Sequence, residues 1–180
     1  MNKTLHPNYP LKTKLKKDLS KKAASNTLRW YQLSLLVILI DQLTKHIATY
    51  RLTPYEPHPI TPFFNLMLAY NQGAAFSFLS QQPIVAFWLF TGIALAMSTL
   101  IALWLYRMPS NQFWVYPCAL ALVLGGALGN VIDRLLYRFV IDFLQFYYQN
   151  WYFPTFNIAD CAISVGAGML LLDALFRRKK

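Results

Sequence analysis

Two runs without a single charged residue, Ile84 to Tyr106 and Phe113 to Ile132, limit what this chain can fold into more than any other feature. They are 23 and 20 residues long, and about 20 apolar residues cross the ~30 Å hydrocarbon core of a bilayer as a helix. Trp30 to Tyr50 is comparably apolar apart from Asp41 and Lys45, and Phe156 to Phe176 is interrupted only by Asp160 and Asp173. Charged residues make up 13% of the chain, about half the share of a typical soluble domain. The expected fold is an all-α membrane protein with four transmembrane helices, at about 30–50, 84–106, 113–136 and 156–176, forming one domain over 30–176. Trp30, Tyr31, Trp88, Trp104, Tyr106, Phe113 and Trp114 fall at the ends of these spans, where amphipathic rings favour the headgroup level.

Orientation follows from the basic residues, because the cytoplasmic side of a membrane protein keeps the excess of Lys and Arg. Eight of the 17 precede Trp30, Arg107 lies between the second and third spans, and Arg177, Arg178, Lys179 and Lys180 end the chain. Only Lys45, Arg51, Arg134 and Arg138 fall on the other side. A multi-pass protein with both termini cytoplasmic is expected. Residues 1–29 read as a basic, mobile cytoplasmic tail attracted to anionic membrane lipid, and 177–180 as a basic cytoplasmic end. The first span reads as an uncleaved anchor, since no small-x-small cleavage site follows it.

The net charge of +10 is concentrated at the two ends, a poor footprint for nucleic acid. Two cysteines, without a C-x-x-C or paired Cys/His spacing, support neither a disulfide scaffold nor a zinc site. Cys118 and Cys161 are expected near opposite membrane faces, too far apart to bridge. No metal and no cofactor are expected.

Between the first two spans the chain is rich in proline (Pro54, Pro57, Pro59, Pro62). Two runs of strand formers, Phe64–Tyr70 and Ala75–Leu79, then flank Asn71-Gln72-Gly73, a turn signal. They predict a small outer β element at about 60–80. Residues 137–155, dense in Phe, Tyr and Trp, predict an amphipathic segment lying on the outer membrane surface.

Of the seven acids, Asp18 and Asp173 face the cytoplasm and Glu56 sits in the outer loop. Threading the topology puts the other four, Asp41, Asp133, Asp142 and Asp160, together in the outer half of the bundle. An acid within a span costs ~2.5 to 3.5 kcal/mol on insertion scales and usually faces a partner or a wet cavity. Asp41 has Lys45 at i+4, which by itself explains a structural ion pair. Asp133, with Arg134 beside it and Asn130 at i−3, suggests a polar clasp within one turn. Gly125 and Gly129 let a neighbouring backbone approach. Asp160 sits at the third helical position after Asn157, a good N-cap, with Pro154 blocking helix upstream. Asp142, flanked by Val140-Ile141 and Phe143-Leu144, has no partner in its own neighbourhood. If Asp142 and Asp160 meet at the outer mouth, repulsion and partial desolvation keep one protonated near neutral pH. One carboxylate then acts as general base on a water while the other supplies a proton, as in aspartic peptidases.

Five stretches make the pattern specific: Asp41-Gln42-Leu43-Thr44-Lys45, Asn71-Gln72-Gly73-Ala74-Ala75-Phe76-Ser77, Gly125 to Arg134, Val140-Ile141-Asp142-Phe143, and Phe156-Asn157-Ile158-Ala159-Asp160. In order and spacing, from about Trp30 to Phe176, they resemble the bacterial lipoprotein signal peptidase family, signal peptidase II. The resemblance implies an inner-membrane aspartic endopeptidase that cuts diacylglyceryl-modified prolipoproteins just before the lipidated cysteine. It implies a catalytic pair Asp142 and Asp160, with Asn71, Asn130, Arg134 and Asn157 lining the site. Gly73 and Ala159 fall in the same substrate-binding or supporting motifs, and Asp41, Lys45 and Asp133 become supporting positions. Members have four membrane helices, a small outer β cradle and a mobile surface segment, and are sensitive to globomycin, so a monomer sensitive to that inhibitor is expected. The chain departs from the family in its long basic tail and in Cys161, where a small hydroxyl residue is common.

Two rival readings remain. A Ser/Lys peptidase would have to use Lys45 and Ser77. A small transporter or proton channel would use the acids as a relay, but would need titratable groups across the whole membrane thickness, and here they cluster on one side.

Overall fold

The computed structural model describes residues 10–72, 83–109 and 112–177, with the backbone alone for 10–26, 83, 86 and 177. Its elements are α1 (Pro10–Arg51), β1 (His58–Thr61), β2 (Phe64–Asn71), α2 (Pro83–Arg107), α3 (Val115–Tyr137), β3 (Val140–Tyr148), β4 (Trp151–Tyr152) and α4 (Ile158–Arg177). Gly73, Ser77 and the run Ala75–Leu79 lie outside the described residues, as do 1–9 and 178–180.

Three of the described helices are long and apolar enough to cross a membrane: Phe87–Arg107, Val115–Tyr137 and Ile158–Phe176. α1, which carries Asp41, Gln42, Lys45 and His46, is not among them. α1 also starts 20 residues before the expected Trp30, so the backbone is helical from Pro10 where a mobile tail was expected. Lys, Leu and Ala propagate helix well, and a proline is tolerated at the first helical position, where its missing N–H has no acceptor to lose.

α3 is the central helix, packed by α1, α2 and α4. Lipid tails are as apolar as leucine, so close contact between membrane helices depends on small residues rather than on the hydrophobic effect. α3 supplies them on two sides. A Cβ at Gly125 would lie 2.7 Å from Ser34 O on α1, and one at Gly129 would lie 2.7 Å from Asp41 Oδ2. A Cβ at Gly126 would collide with Ala159 O on α4. Nearer the other end, Ile101 and Leu105 of α2 pack on Leu120 and Leu124 of α3, against Trp30 and Tyr31. On α2, Ile84, Trp88, Ile93, Leu100 and Trp104 remain exposed, an apolar surface suited to lipid.

The expected surface segment is instead sheet. The strands form one antiparallel series in the order β1-β2-β3-β4, in which β2 pairs with β3. Local sequence could not reveal that pairing, because Asn71 faces Val140, Tyr70 faces Ile141 and Ala69 faces Asp142. α3 stops at Arg138, which takes the left-handed conformation (φ 70°) while its N–H bonds Arg134 O at 2.9 Å. The chain then turns into Val140–Tyr148, whose β-branched and aromatic residues suit a strand, buried on both faces over Val140–Phe143 and more exposed toward Tyr148. Gln149, at φ 52°, turns β3 into β4. Finally, Phe156 N bonds Leu144 O at 2.9 Å while Phe143 N and Leu144 N bond Phe156 O at 3.0 and 2.9 Å. These bonds lay the start of α4 along β3, which puts Asn157 beside Asp142.

Candidate active site

Asn157 is the residue on which the two acids meet. It is fully buried and caps α4 reciprocally with Asp160. Asp160 N–H donates to Asn157 Oδ1 at 2.9 Å, and Asn157 N–H donates to Asp160 Oδ2 at 3.2 Å, the arrangement of a capping box. The helix-start role of Asp160 is thus real. The same Asn157 donates from Nδ2 to Asp142 Oδ1 at 2.7 Å, so one residue holds the carboxyl of Asp142 of β3 with its side chain and that of Asp160 of α4 with its backbone N–H. Its Nδ2 also reaches Ile141 O at 3.2 Å and Asn130 Oδ1 at 3.1 Å.

Asp142 is almost fully buried, with Asn71 Nδ2 donating to its other oxygen at 3.0 Å. Burial pushes its carboxyl up to about 7 from an ordinary 3.8, and the nearby Asp160 charge adds to the rise; hydrogen bonds from Asn71 and Asn157 and the Lys45 charge oppose it. Asp142 therefore exchanges its proton near neutral pH, the condition for acid–base work there. Asp160 accepts Asn130 Nδ2 at 2.8 Å on its remaining oxygen.

Asp160 opens onto a cleft of about 700 Å³ lined also by Asn71, Arg134, Phe90, Phe153 and Phe156. Asn71 both lines this cleft and covers Asp142, so Asp142 lies one hydrogen bond behind its surface. The Arg134 guanidinium bonds Asn130 O at 3.3 Å and lies in electrostatic range of Asp160, Asp142 and Asp133. The cleft combines Asp160, Arg134 and Asn71 with an apolar lining that includes Phe90, Phe153, Phe156 and Val165, which fits an extended chain with an apolar flank. Among the described residues, no three His, Cys, Asp or Glu side chains converge to hold a metal ion.

Asp133 departs from its expected clasp. Its partners are Lys45 Nζ at 2.8 Å, Gln42 Nε2 at 2.9 Å and the backbone N–H of Ile141 at 3.0 Å, rather than Arg134 or Asn130. Lys45 also holds Asp41 at 2.8 Å, as its spacing suggested, and donates to Asn130 Oδ1 at 3.0 Å. Asp41 in turn accepts the N–H of Ala159 at 2.9 Å. Sequence reasoning missed Gln42 as a site residue; its signals were its place in the Asp41-to-Lys45 motif and an uncharged polar side chain next to Asp41. Cys118 and Cys161 are free, and Cys161 lines the cleft next to Asp160.

Comparison with known proteins identifies the family. A family model described as Signal peptidase (SPase) II matches residues 33–176. The chain is similar to the lipoprotein signal peptidase of Acinetobacter baylyi, 50% identical over 155 residues that cover 86% of each chain. It is likewise similar to that of Pseudoalteromonas atlantica, 51% identical over 152 residues covering 84% of this chain and 92% of the relative. A solved bacterial membrane enzyme, determined by the in meso method, superposes with a TM-score of 0.72 at 27% identity, over 84% of this chain and 90% of its own. A family match over most of the chain, with relatives near half identical along almost their whole length, leaves one conclusion: the chain belongs to the signal peptidase II family of membrane peptidases.

Proposed function

We propose that this protein is an aspartic endopeptidase that removes the signal peptide of diacylglyceryl prolipoproteins just before the lipidated cysteine, with Asp142 and Asp160 as the catalytic residues. Family membership supports the peptidase activity on prolipoproteins. The observation that carries the residue assignment is Asn157, which holds a carboxyl with a near-neutral titration on one side and a cleft-lining carboxylate on the other.

In this reading Asp160, open to the cleft, takes a proton from a water that attacks the scissile carbonyl. Asp142 keeps its proton below about pH 7, polarises the carbonyl as the substrate displaces the Asn71 amide, and then protonates the leaving amine. Asn71, Asn130 and Asn157 offer neutral donors and acceptors to the substrate backbone or the pair without adding charge to a partly dry site. Arg134 balances the negative charge of the pair. Ala159 contributes its backbone N–H.

The protein crosses the bacterial inner membrane four times, α1 included, as one domain with both termini cytoplasmic. Asp41 and Lys45 are tolerated in α1 because they face the bundle and not lipid, being 0% and 1% exposed. The carboxylates then sit at the outer face. A substrate anchored by two acyl chains and an apolar helix meets them already confined to that plane, which supplies part of the orientation. The protein acts as a monomer and binds globomycin in the same cleft. A transporter is disfavoured because α2 carries no acid along its length. A Ser/Lys peptidase is disfavoured because all three Lys45 protons are committed to Asp41, Asp133 and Asn130.

Purified protein incubated with a diacylglyceryl prolipoprotein should yield the mass of the cleaved product, blocked by globomycin and absent in Asp160→Asn. Cleavage by Asp160→Asn at the wild-type rate refutes the residue assignment.

A further inference from the structure

The Asp41–Lys45–Asp133 cluster lies beside the catalytic pair without lining its cleft, and its stability value does not account for it. Burying charges costs several kcal/mol per ion, and exchanging such a cluster for apolar side chains of similar volume is often neutral or stabilising. Its geometry offers a different reason. Asp41 Oδ1 accepts one backbone N–H, that of Ala159, at 2.9 Å. Asp133 Oδ2 accepts another, that of Ile141, at 3.0 Å. Ala159 immediately precedes Asp160, and Ile141 immediately precedes Asp142. Lys45 Nζ sits between the two carboxylates at 2.8 Å from each, so one ammonium ties together the backbone positions just before both reacting acids.

The third Lys45 proton goes to Asn130 Oδ1 at 3.0 Å. With its oxygen facing an ammonium, the Asn130 amide must turn its Nδ2 outward, and that Nδ2 donates to Asp160 Oδ1 at 2.8 Å. Gln42 reinforces the arrangement from the same helix, its Nε2 reaching Asp133 Oδ1 at 2.9 Å and Gly129 O at 3.2 Å. Position 129 has to be glycine here, because a Cβ would lie 2.7 Å from Asp41 Oδ2.

Resting on the reading of Asp142 and Asp160 as the reacting pair, we propose that Lys45 is its positioning residue, setting the spacing of the two carboxyls through Asp41 and Asp133 and the polarity of the Asp160 hydrogen bond through Asn130. Gln42 is the second positioning residue. The titratable and charged groups around Lys45 are Asp41 and His46 on α1, Tyr70 on β2, Asp133, Arg134 and Tyr137 on α3, Asp142 on β3, and Asp160 and Cys161 on α4. Loss of the ammonium leaves the Asn130 amide free to reverse and present its oxygen to Asp160. The proton distribution of the pair then changes, as well as its spacing.

The test compares wild type, Lys45→Met, the double variant Lys45→Met/Asp133→Asn and Gln42→Leu as purified enzymes on a diacylglyceryl prolipoprotein. The double variant keeps the net charge of the cluster, so its fold is spared an extra uncompensated carboxylate. For each folded variant kcat and KM are measured separately across a pH series, beside thermal unfolding. The expected result is a kcat lower by about 10- to 100-fold with KM within about twofold, and an alkaline limb of kcat/KM displaced from its wild-type position. Gln42→Leu should move kcat and the limb in the same direction by less, and it decides the matter if the Lys45 variants fail to accumulate. A folded variant with lower melting temperature but wild-type kcat and an unmoved limb shows a merely structural cluster and overturns the proposal. Asp142→Asn and Asp160→Asn run in parallel. Wild-type activity in either defeats the assignment of the pair, whereas inactivity in both with unmoved profiles in the cluster variants defeats the positioning role alone.

Discussion

Asparagine at position 142 keeps the shape of the side chain and removes its titration, which gives the buried carboxyl a stability signature as well as a catalytic one. Asp142 titrates at about 7 in the folded protein and at the ordinary 3.8 when unfolded. Between those values the folded state holds a proton that the unfolded chain has released. Its contribution is therefore fully present below about pH 4 and is lost as pH rises to about 7, at close to 1.4 kcal/mol per pH unit. The full excursion is on the order of 4 kcal/mol, with roughly three-fifths of it falling above pH 5. In Asp142→Asn that slope disappears. The substitution has its own cost, because Asn157 Nδ2 at 2.7 Å and Asn71 Nδ2 at 3.0 Å both donate to residue 142. An asparagine can accept from only one of them, and the mismatch costs about 1–3 kcal/mol. The variant should be less stable than wild type at about pH 4 and below and more stable above about pH 8, while cleaving nothing at any pH. Melting temperatures of the two proteins in the same detergent, taken as a difference across a pH series, isolate this group from all others. Parallel curves, with no crossing or convergence, would falsify the claim that Asp142 carries a proton into the folded state.

The remaining expectations concern activity and packing. In wild type, kcat/KM should fall as pH rises through about 7, because the protonated form of Asp142 is the one that donates; a plateau well beyond that pH contradicts the donor role. Gly126→Ala puts a Cβ into the backbone oxygen of Ala159 and within 2.8 Å of Ile163 Cγ1. It should cost about 1–3 kcal/mol by overpacking and depress kcat by shifting Asp160, to be read from melting temperature and turnover together. Asp133→Asn should lower the amount of protein in the membrane, because Lys45 and the Ile141 N–H lose a charged partner; wild-type accumulation by immunoblot would show that the buried pair is dispensable. Phe153→Ala, at the aromatic wall of the cleft, should raise KM several-fold and leave the pH profile in place.

What local sequence could reveal, it revealed. Runs of apolar residues and the density of charge are properties of a window, so α2, α3 and α4 were legible to within a few residues, and so was the Asn157 cap of α4. The aromatic stretch 137–155 misled because a strand, here buried on both faces over its first four residues, and a surface segment share the same composition. What distinguishes them is β2, a partner that sequence patterning cannot point to. Asp133 misled for a related reason: its near neighbours in sequence, Asn130 and Arg134, looked sufficient, while its actual ion-pair partner is Lys45 on another helix.

Sequence by itself settled which residues are apolar enough for lipid, where the acids fall along the chain, and which motifs they belong to. Beyond the i,i+4 pair of Asp41 with Lys45 and the cap of Asp160 on Asn157, tertiary structure decided who their partners are. Asp142 meets Asn71 at a separation of 71 residues, and Asp41 meets the N–H of Ala159 at 118. The physical reason is that a charge inside a membrane protein is held by whatever the packing brings within 3 Å. Here the packing is set by glycines of α3 that admit α1 on one side and α4 on the other.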